Sequence, residues 1–207
     1  MQPQQEVQTQ PAVLPQQEVD TLMQELRELY KDAPDYIKHA LEELRDGIAT
    51  IPETLMERAG RIGARQGVVS ELTVIAPFAK GGAERLRKLL ALTHGNFSAT
   101  EKVGSVHDMR FVFLENDTKM LFATAYDGDW DDYLDDFVAK IPNELDVIFW
   151  NFEGWPGIHS PGIKDYIARF QVAAEAWYVS NPRLSVPQAK RLEKIDKALD
   201  EFLDKIS

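Results

Sequence analysis

The chain has 207 residues, with 34 acidic and 23 basic side chains and a formal net charge of −11. This acidic balance argues against nucleic-acid phosphates and anionic membranes as partners, because binding to either requires clustered lysine and arginine. The absence of cysteine excludes disulfides, thiolate nucleophiles, iron–sulfur clusters and cysteine-based zinc sites.

The N-terminal third predicts a tail followed by amphipathic helices. Residues 1–17 are rich in glutamine and proline, bury too little apolar surface to offset their ordering entropy, and predict a disordered tail. They lack the pattern of a signal peptide, and no stretch of the chain reaches 18 uninterrupted apolar residues, so we expect a cytoplasmic protein. Residues 18–66 predict a helical extension, whose third helix runs from Pro52 to about Arg65.

Residues 67–207 predict an α/β core with C-terminal helices. Short apolar runs bounded by turn residues predict four strands, at 68–78, 106–114, 119–126 and 145–152. Apolar residues at helical spacing predict helices after Gly82 and from Trp130 to Ile141, and two more over 163–177 and 192–206.

The order β-α-β-β-α-β within this region predicts an α+β fold, a ferredoxin-like sandwich with an antiparallel sheet. Such a unit leaves one face of its sheet uncovered. We therefore expect a homo-oligomer that pairs through the sheet, unless the flanking helices cover that face within one chain.

The second strand of this unit carries the candidate chemistry. Strand alternation predicts Asp108 and Arg110 on one sheet face and His107 with the apolar residues on the other. Two charges in an apolar strand are costly unless they are paired. They therefore predict either a solvated salt bridge or a polar pocket, completed by Glu71, Thr73 and Asn151 on neighbouring strands. In such a pocket, Arg110 would hold an anion or polarise an oxidant. His107 is either a core residue or a ligand-facing one.

The loop from Glu153 to Pro161 follows the fourth predicted strand and carries His159 at the rim of a predicted pocket. The sequence has no HExxH or other two-histidine spacing, so we expect no metal centre of that kind. No ordering of Ser, His and Asp is recognisable either, so the residues alone leave open whether the protein is an enzyme.

Two stretches, VHDMRFVFL (106–114) and LFATAYDGDW (121–130), together with the β-α-β-β-α-β order, resemble the dimeric α/β-barrel superfamily over roughly residues 68–180. Within it they are similar to a bacterial branch related to dye-decolourising peroxidases and chlorite dismutases. The superfamily includes haem enzymes and cofactor-free monooxygenases.

The resemblance implies a small-molecule-binding or haem-binding oxidoreductase-like protein, with Arg110, His107 and Asp108 around the pocket. Haem, if it binds, would have His107 or His159 as candidate ligands and Arg110 as the distal polar group. The alternative function is a non-catalytic module for protein interaction or oligomerisation, which would use the acidic helices and the N-terminal extension.

Overall fold

The computed structural model describes residues 15–48, 56–95 and 97–206. The chain divides into two units, residues 1–55 and 56–207. Most of the predicted disordered tail lies outside the described residues, although Gln16 and Gln17 belong to the first helix. Within the described part of the chain, none of the helices combines the length and apolar character needed to span a membrane.

The first unit contains a pair of helices, α1 (Gln16–Leu29) and α2 (Asp35–Ile48). Both predicted helices are confirmed. The Arg27 guanidinium donates two hydrogen bonds of 2.7 Å to the Glu42 carboxylate, which joins the two helices. Because both side chains are exposed, this ion pair contributes little to stability.

The second unit is built on a five-stranded antiparallel sheet in the order β1-β2-β3-β5-β4. The strands are β1 (Glu57–Arg58), β2 (Ala64–Gln66), β3 (Val69–Pro77), β4 (Val106–Leu114) and β5 (Lys119–Asp127). The first three predicted strands are confirmed as β3, β4 and β5. With the helix Gly82–Leu92 between β3 and β4, this α+β arrangement is compatible with a ferredoxin-like fold.

Helices cover one face of this sheet and bury its apolar side chains. They are α3 (Gly82–Leu92), α4 (Trp130–Lys140), α5 (Pro142–Phe149) and α6 (Ile163–Phe170). A last helix, α7 (Val186–Ile206), ends the described chain. In α4 the buried residues Trp130, Tyr133, Leu134 and Phe137 form the apolar stripe that predicted this helix.

The expected third helix from Pro52 to Arg65 is not formed over its described part, because β1 and β2 occupy residues 57–66. The turn between these strands contains Gly60 and Gly63, whose φ angles are +89° and +85°. A Cβ atom at Gly63 would collide with the carbonyl oxygen of Glu71. These glycines favour a tight hairpin and disfavour a helix at this point.

The predicted fourth strand, residues 145–152, is wrong, because most of this segment is α5. Pro142 occupies the first turn of the helix, where its missing N–H costs nothing. Leu145 and Ile148 are buried at the i, i+3 spacing of one helical face, whereas Phe152 lies beyond the helix and forms an isolated antiparallel bridge with Phe78. A short apolar run of this kind fits either element. Asn151 lies in the turn after α5 and not on the predicted polar face, and its carbonyl accepts a 2.9 Å hydrogen bond from the N–H of Ala79, just after β3.

The predicted helix over 163–177 ends early, since α6 stops at Phe170 and the chain continues in extended form. Gln171 pairs with Val74, and the N–H of Val172 donates to the Thr73 carbonyl at 2.9 Å. β2 is too short to pair with the whole of β3, so the free edge of β3 requires other partners for its backbone groups.

Candidate functional site

The strand register places the predicted polar residues on one face of the sheet. Glu71 of β3 and Asp108 of β4 both pair with Ala125 of β5, while Thr73 and Arg110 both pair with Ala123. These residues therefore share a face, as strand alternation predicted. The opposite face packs against the helices.

His107 lies on the polar face and not on the apolar face that alternation predicted. The register of β4 shifts between Val106 and Asp108, so that His107 is an extra residue in a β-bulge. A bulge turns two successive side chains to the same side of a sheet, which interrupts alternation for one residue. His107 consequently points to the side occupied by Asp108 and Asp127.

The His107 side chain is held by Asp127, the last residue of β5. His107 Nε2 lies 2.8 Å from Asp127 Oδ1, and the two side chains are 25% and 16% exposed. The second oxygen, Oδ2, accepts a 2.8 Å hydrogen bond from the N–H of Val186 at the start of α7. Asp127 thus orients the imidazole and satisfies a helix N-terminal N–H at the same time.

A groove of about 370 Å³ lies against this end of the sheet. His107 and Ala125 belong to its floor, and the segment 177–184 forms its wall. Its complete lining is Val69, His107, Ala125, Trp177, Tyr178, Val179, Ser180, Asn181, Leu184 and Ala189. We call this the His107 groove; it is mostly apolar, with His107, Ser180 and Asn181 as polar exceptions.

Hydrogen bonds from the end of β2 and from the turn that follows it fix the wall of the His107 groove. The Gln66 side chain donates to the Trp177 carbonyl at 2.5 Å, and the N–H of Val68 donates to the Pro182 carbonyl at 2.7 Å. Between them, a Cβ atom at Gly67 would collide with the Pro182 carbonyl oxygen, so this close approach requires glycine. The groove is thus a built feature of the fold.

Glu71 is buried on the same face, next to Ala125. Its carboxylate accepts hydrogen bonds from the N–H of Ala64 at 3.2 Å and from the Thr73 hydroxyl at 3.1 Å. Burial raises the pKa of Glu71 above its ordinary value, and these hydrogen bonds oppose the rise.

Asp108 and Arg110 form an ion pair of 3.2 Å, with side chains that are 45% and 62% exposed. This geometry is that of a solvated salt bridge, one of the two interpretations that the sequence left open. Neither residue lines the His107 groove. His159 is exposed in the loop before α6 and does not line the groove either.

The residues predicted for haem do not form one pocket. Of His107, His159 and Arg110, only His107 faces the groove, and its Nε2 is engaged by Asp127. Only Nδ1 of His107 would remain to bind a haem iron. Arg110, the distal polar group that the resemblance implies, does not line the groove. The donor set therefore does not fit a haem site of that kind.

Among the described residues, further spaces lie on the other side of the sheet, two of which bear on the choice of site. An apolar cavity of about 50 Å³ is enclosed by side chains of the sheet and of α4 to α6, including Phe122, Trp130 and Tyr133. A wider surface groove of about 840 Å³ runs between α3 and α5 and includes Arg85 and Trp150. The cavity is far below the about 300 Å³ typical of ligand pockets. The wide groove is lined by Asn151, which was predicted for the polar sheet face, but by none of His107, Asp108, Arg110 and His159.

Sequence reasoning identified His107 but missed Asp127 and the wall formed by residues 177–184. The position of Asp127 at the end of a strand paired with the histidine strand was the available signal. The sequence contained no such signal for the wall, because the predicted helix over 163–177 included its first residue. In the described residues, no group of three or more His, Asp or Glu side chains is arranged to hold a metal ion.

Comparison of the chain with protein-family models, with curated proteins and with solved structures found no match in any of the three.

Proposed function

We propose that this protein binds a small organic molecule in the His107 groove and acts on it as an oxidoreductase-like protein of the ferredoxin-like type. The observation that carries the proposal is the His107–Asp127 pair at the floor of a mostly apolar groove. A concave apolar site with a few convergent polar groups is the usual form of a small-molecule site.

The His107–Asp127 contact leaves Nδ1 as the ring nitrogen available to a ligand. Asp127 holds the ring in one orientation, so that a bound molecule meets a fixed donor or acceptor. An imidazole oriented in this way is suited to transfer a proton to or from a group within hydrogen-bond reach.

The lining indicates the class of ligand. Trp177, Val179 and Leu184 provide apolar and aromatic surface, whereas Ser180 and Asn181 provide hydrogen-bonding groups at the wall. The groove volume of about 370 Å³ lies at the lower end of the range for ligand pockets. A flat heteroaromatic compound with one or two polar groups matches both the size and the lining.

The oxidoreductase-like role rests on the resemblance of residues 106–130 to the dimeric α/β-barrel superfamily. Its haem version is tested by the absorbance spectrum of the purified protein with added haemin. A Soret shift that His107→Ala abolishes would support haem binding. A spectrum that equals free haemin for both proteins would remove the haem version and leave the organic ligand.

The general proposal is tested by screening a library of small heteroaromatic compounds with ligand-observed NMR. The tightest compound is then titrated against four variants. We expect His107→Ala to weaken binding about tenfold, the loss of one hydrogen bond at a partly buried site. Ala189→Phe should block binding, because Ala189 lines the groove. His159→Ala and His39→Ala, at exposed positions outside the groove, should bind like the wild type.

A screen without binders would contradict the proposal. So would binders whose affinity is unchanged in both His107→Ala and Ala189→Phe, provided that the circular dichroism of the two variants matches that of the wild type.

The alternative function, a non-catalytic interaction module, is favoured by a separate observation. Leu29, Tyr36 and Leu44 of the helical pair are 78%, 73% and 65% exposed. Exposed apolar residues on charged helices are typical of a surface that binds another protein. We expect pull-down of a partner by the full chain to be lost in Tyr36→Ser/Leu44→Ser and kept in the polar-face control Lys38→Ser.

A further inference from the structure

The apolar cavity behind the sheet has a lining without charged side chains. Its volume is about 50 Å³, and it lies between β3 and β5 on one side and α4, α5, α6 and the loop before α6 on the other. Every side chain of the lining is aliphatic, aromatic or methionine. Such a space favours apolar molecules over ions, because a charge inside it would lose its hydration.

Three of the four side-chain N–H or O–H groups in this lining are bound to partners outside it. The Tyr133 hydroxyl donates to the Thr124 hydroxyl at 3.1 Å, and the Trp155 indole N–H donates to the Asp146 carboxylate at 2.8 Å. The Tyr166 hydroxyl donates to a backbone carbonyl at 2.8 Å. These three donors are therefore already used and do not serve a molecule inside the cavity.

The fourth group is the indole N–H of Trp130, at the start of α4. Trp130 is fully buried, and its Nε1 has no hydrogen-bond partner in the part of the chain that the structure describes. An unpaired buried donor is costly, and native proteins usually satisfy such a group with protein, water or a ligand. The lining thus combines an apolar space with one unpaired donor.

Volume and lining together restrict the occupant of the cavity. A buried water molecule makes about three hydrogen bonds, whereas this lining offers it one unpaired donor. Apolar cavities stay dry and take up apolar molecules, and a cavity of about 150 Å³ is large enough for benzene. A cavity of about 50 Å³ suits an apolar molecule of about two or three heavy atoms.

We propose that this cavity binds a small apolar gas molecule of the size of dioxygen, beside the indole of Trp130. Dioxygen has two heavy atoms, is apolar and accepts only a weak hydrogen bond. These properties match the space, the lining and the single unpaired donor. The inference does not depend on the His107 groove, because the cavity and the groove share no lining residue.

The test is methyl NMR of the isotope-labelled full chain under xenon and under dioxygen, each at several gas pressures. Bound xenon shifts nearby methyl resonances, and bound dioxygen, which is paramagnetic, speeds their relaxation. We expect both effects to be largest at Leu72, Val74 and Ala76, which line the cavity. The methyl groups of Val69 and Ala189, in the His107 groove, are the internal reference and should respond less.

A variant that fills the cavity gives the second arm of the test. Ala76→Val adds two methyl groups at the lining, and Ala123→Val makes the same change at a buried position that does not line the cavity. We expect the response of Leu72 and Val74 to both gases to be lost in Ala76→Val and kept in Ala123→Val. Circular dichroism checks that both variants fold, and the wild-type measurement stands without them. In the wild type, the Trp130 indole N–H should also relax faster under dioxygen.

Three results would overturn the proposal. Cavity methyl groups that respond to both gases no more than Val69 and Ala189 would show that the cavity takes up no gas. A response that persists in folded Ala76→Val would place the gas elsewhere. Magnetisation transfer from water to the Ala76 methyl group of the wild type would show that water occupies the cavity.

Discussion

Glu71 is a carboxylate that the fold buries on the polar face of the sheet, where desolvation raises its pKa. A pKa that is raised on folding means that the protonated form is preferred in the native state. The protonated Glu71 side chain thus contributes to the free energy of unfolding, and this contribution is fully present below pH 4.5, the pKa of Glu71 in the unfolded chain. The contribution is lost as the pH rises through the higher pKa of the folded state.

Glu71→Gln should therefore gain stability relative to the wild type as the pH rises. Glutamine is neutral at every pH, so the variant does not incur the cost of a buried charge. The measurement is the free energy of unfolding in urea at about pH 4 and about pH 7, on either side of most of this titration. Glu101→Gln, at an exposed position, is the control and should show no such difference between the two pH values. The account would be contradicted if the stability of Glu71→Gln relative to the wild type, measured as the free energy of unfolding, fell between about pH 4 and about pH 7.

The sequence predicted the polar face through Glu71, Thr73, Asp108 and Arg110, because strand alternation needs only the correct strands. It could not predict the position of His107. A β-bulge depends on how two strands are paired, and one extra residue reverses the face of every side chain before it. The Asp127 contact follows from the same bulge, and its signal in the sequence was the position of Asp127 at the end of the strand paired with the histidine strand.

At the scale of elements, α5 shows how a short apolar run is assigned. The segment LDVIF suits a strand by its composition, but its burial follows a helix, with Leu145 and Ile148 inside and Val147 57% exposed. In a strand, Leu145 and Val147 would share one face. Length and propensity cannot separate these cases, and the packing of Ile148 against the core decides it.

Alanine substitutions distinguish the two assignments directly. Ile148→Ala should lower the free energy of unfolding by about 2–5 kcal/mol, because it opens a cavity in the core. Val147→Ala should change it by at most about 0.5 kcal/mol, as expected for an exposed position. The measurement is urea unfolding followed by circular dichroism. A large loss for Val147→Ala with a small one for Ile148→Ala would support a strand.

At the scale of the whole molecule, the β1–β2 hairpin belongs with the sheet and not with the helical extension. Ala59 within it is fully buried, and its carbonyl accepts a hydrogen bond of 2.8 Å from the N–H of Trp130. Arg65 contacts Asp129 at 2.5 Å. A core that began at residue 67 would therefore lack the β1–β2 edge of the sheet. It would also lack the hairpin contacts to Asp129 and Trp130 at the start of α4.

Two truncations test this boundary. Residues 56–207 should melt at a higher temperature than residues 67–207, by about 10 °C, which corresponds to roughly 3 kcal/mol in a unit of this size. The readout is the thermal transition by circular dichroism. Equal melting temperatures would mean that the hairpin adds nothing to the sheet.

The central claim is that the His107 groove is where this protein binds a small molecule. The most direct measurement is an NMR titration of isotope-labelled full chain with the tightest compound from the screen. We predict that the His107 ring and the methyl groups of Val69, Ala125 and Ala189 shift together, while the His159 ring does not. Shifts confined to Trp150 and its neighbours between α3 and α5, with His107 unchanged, would contradict the claim.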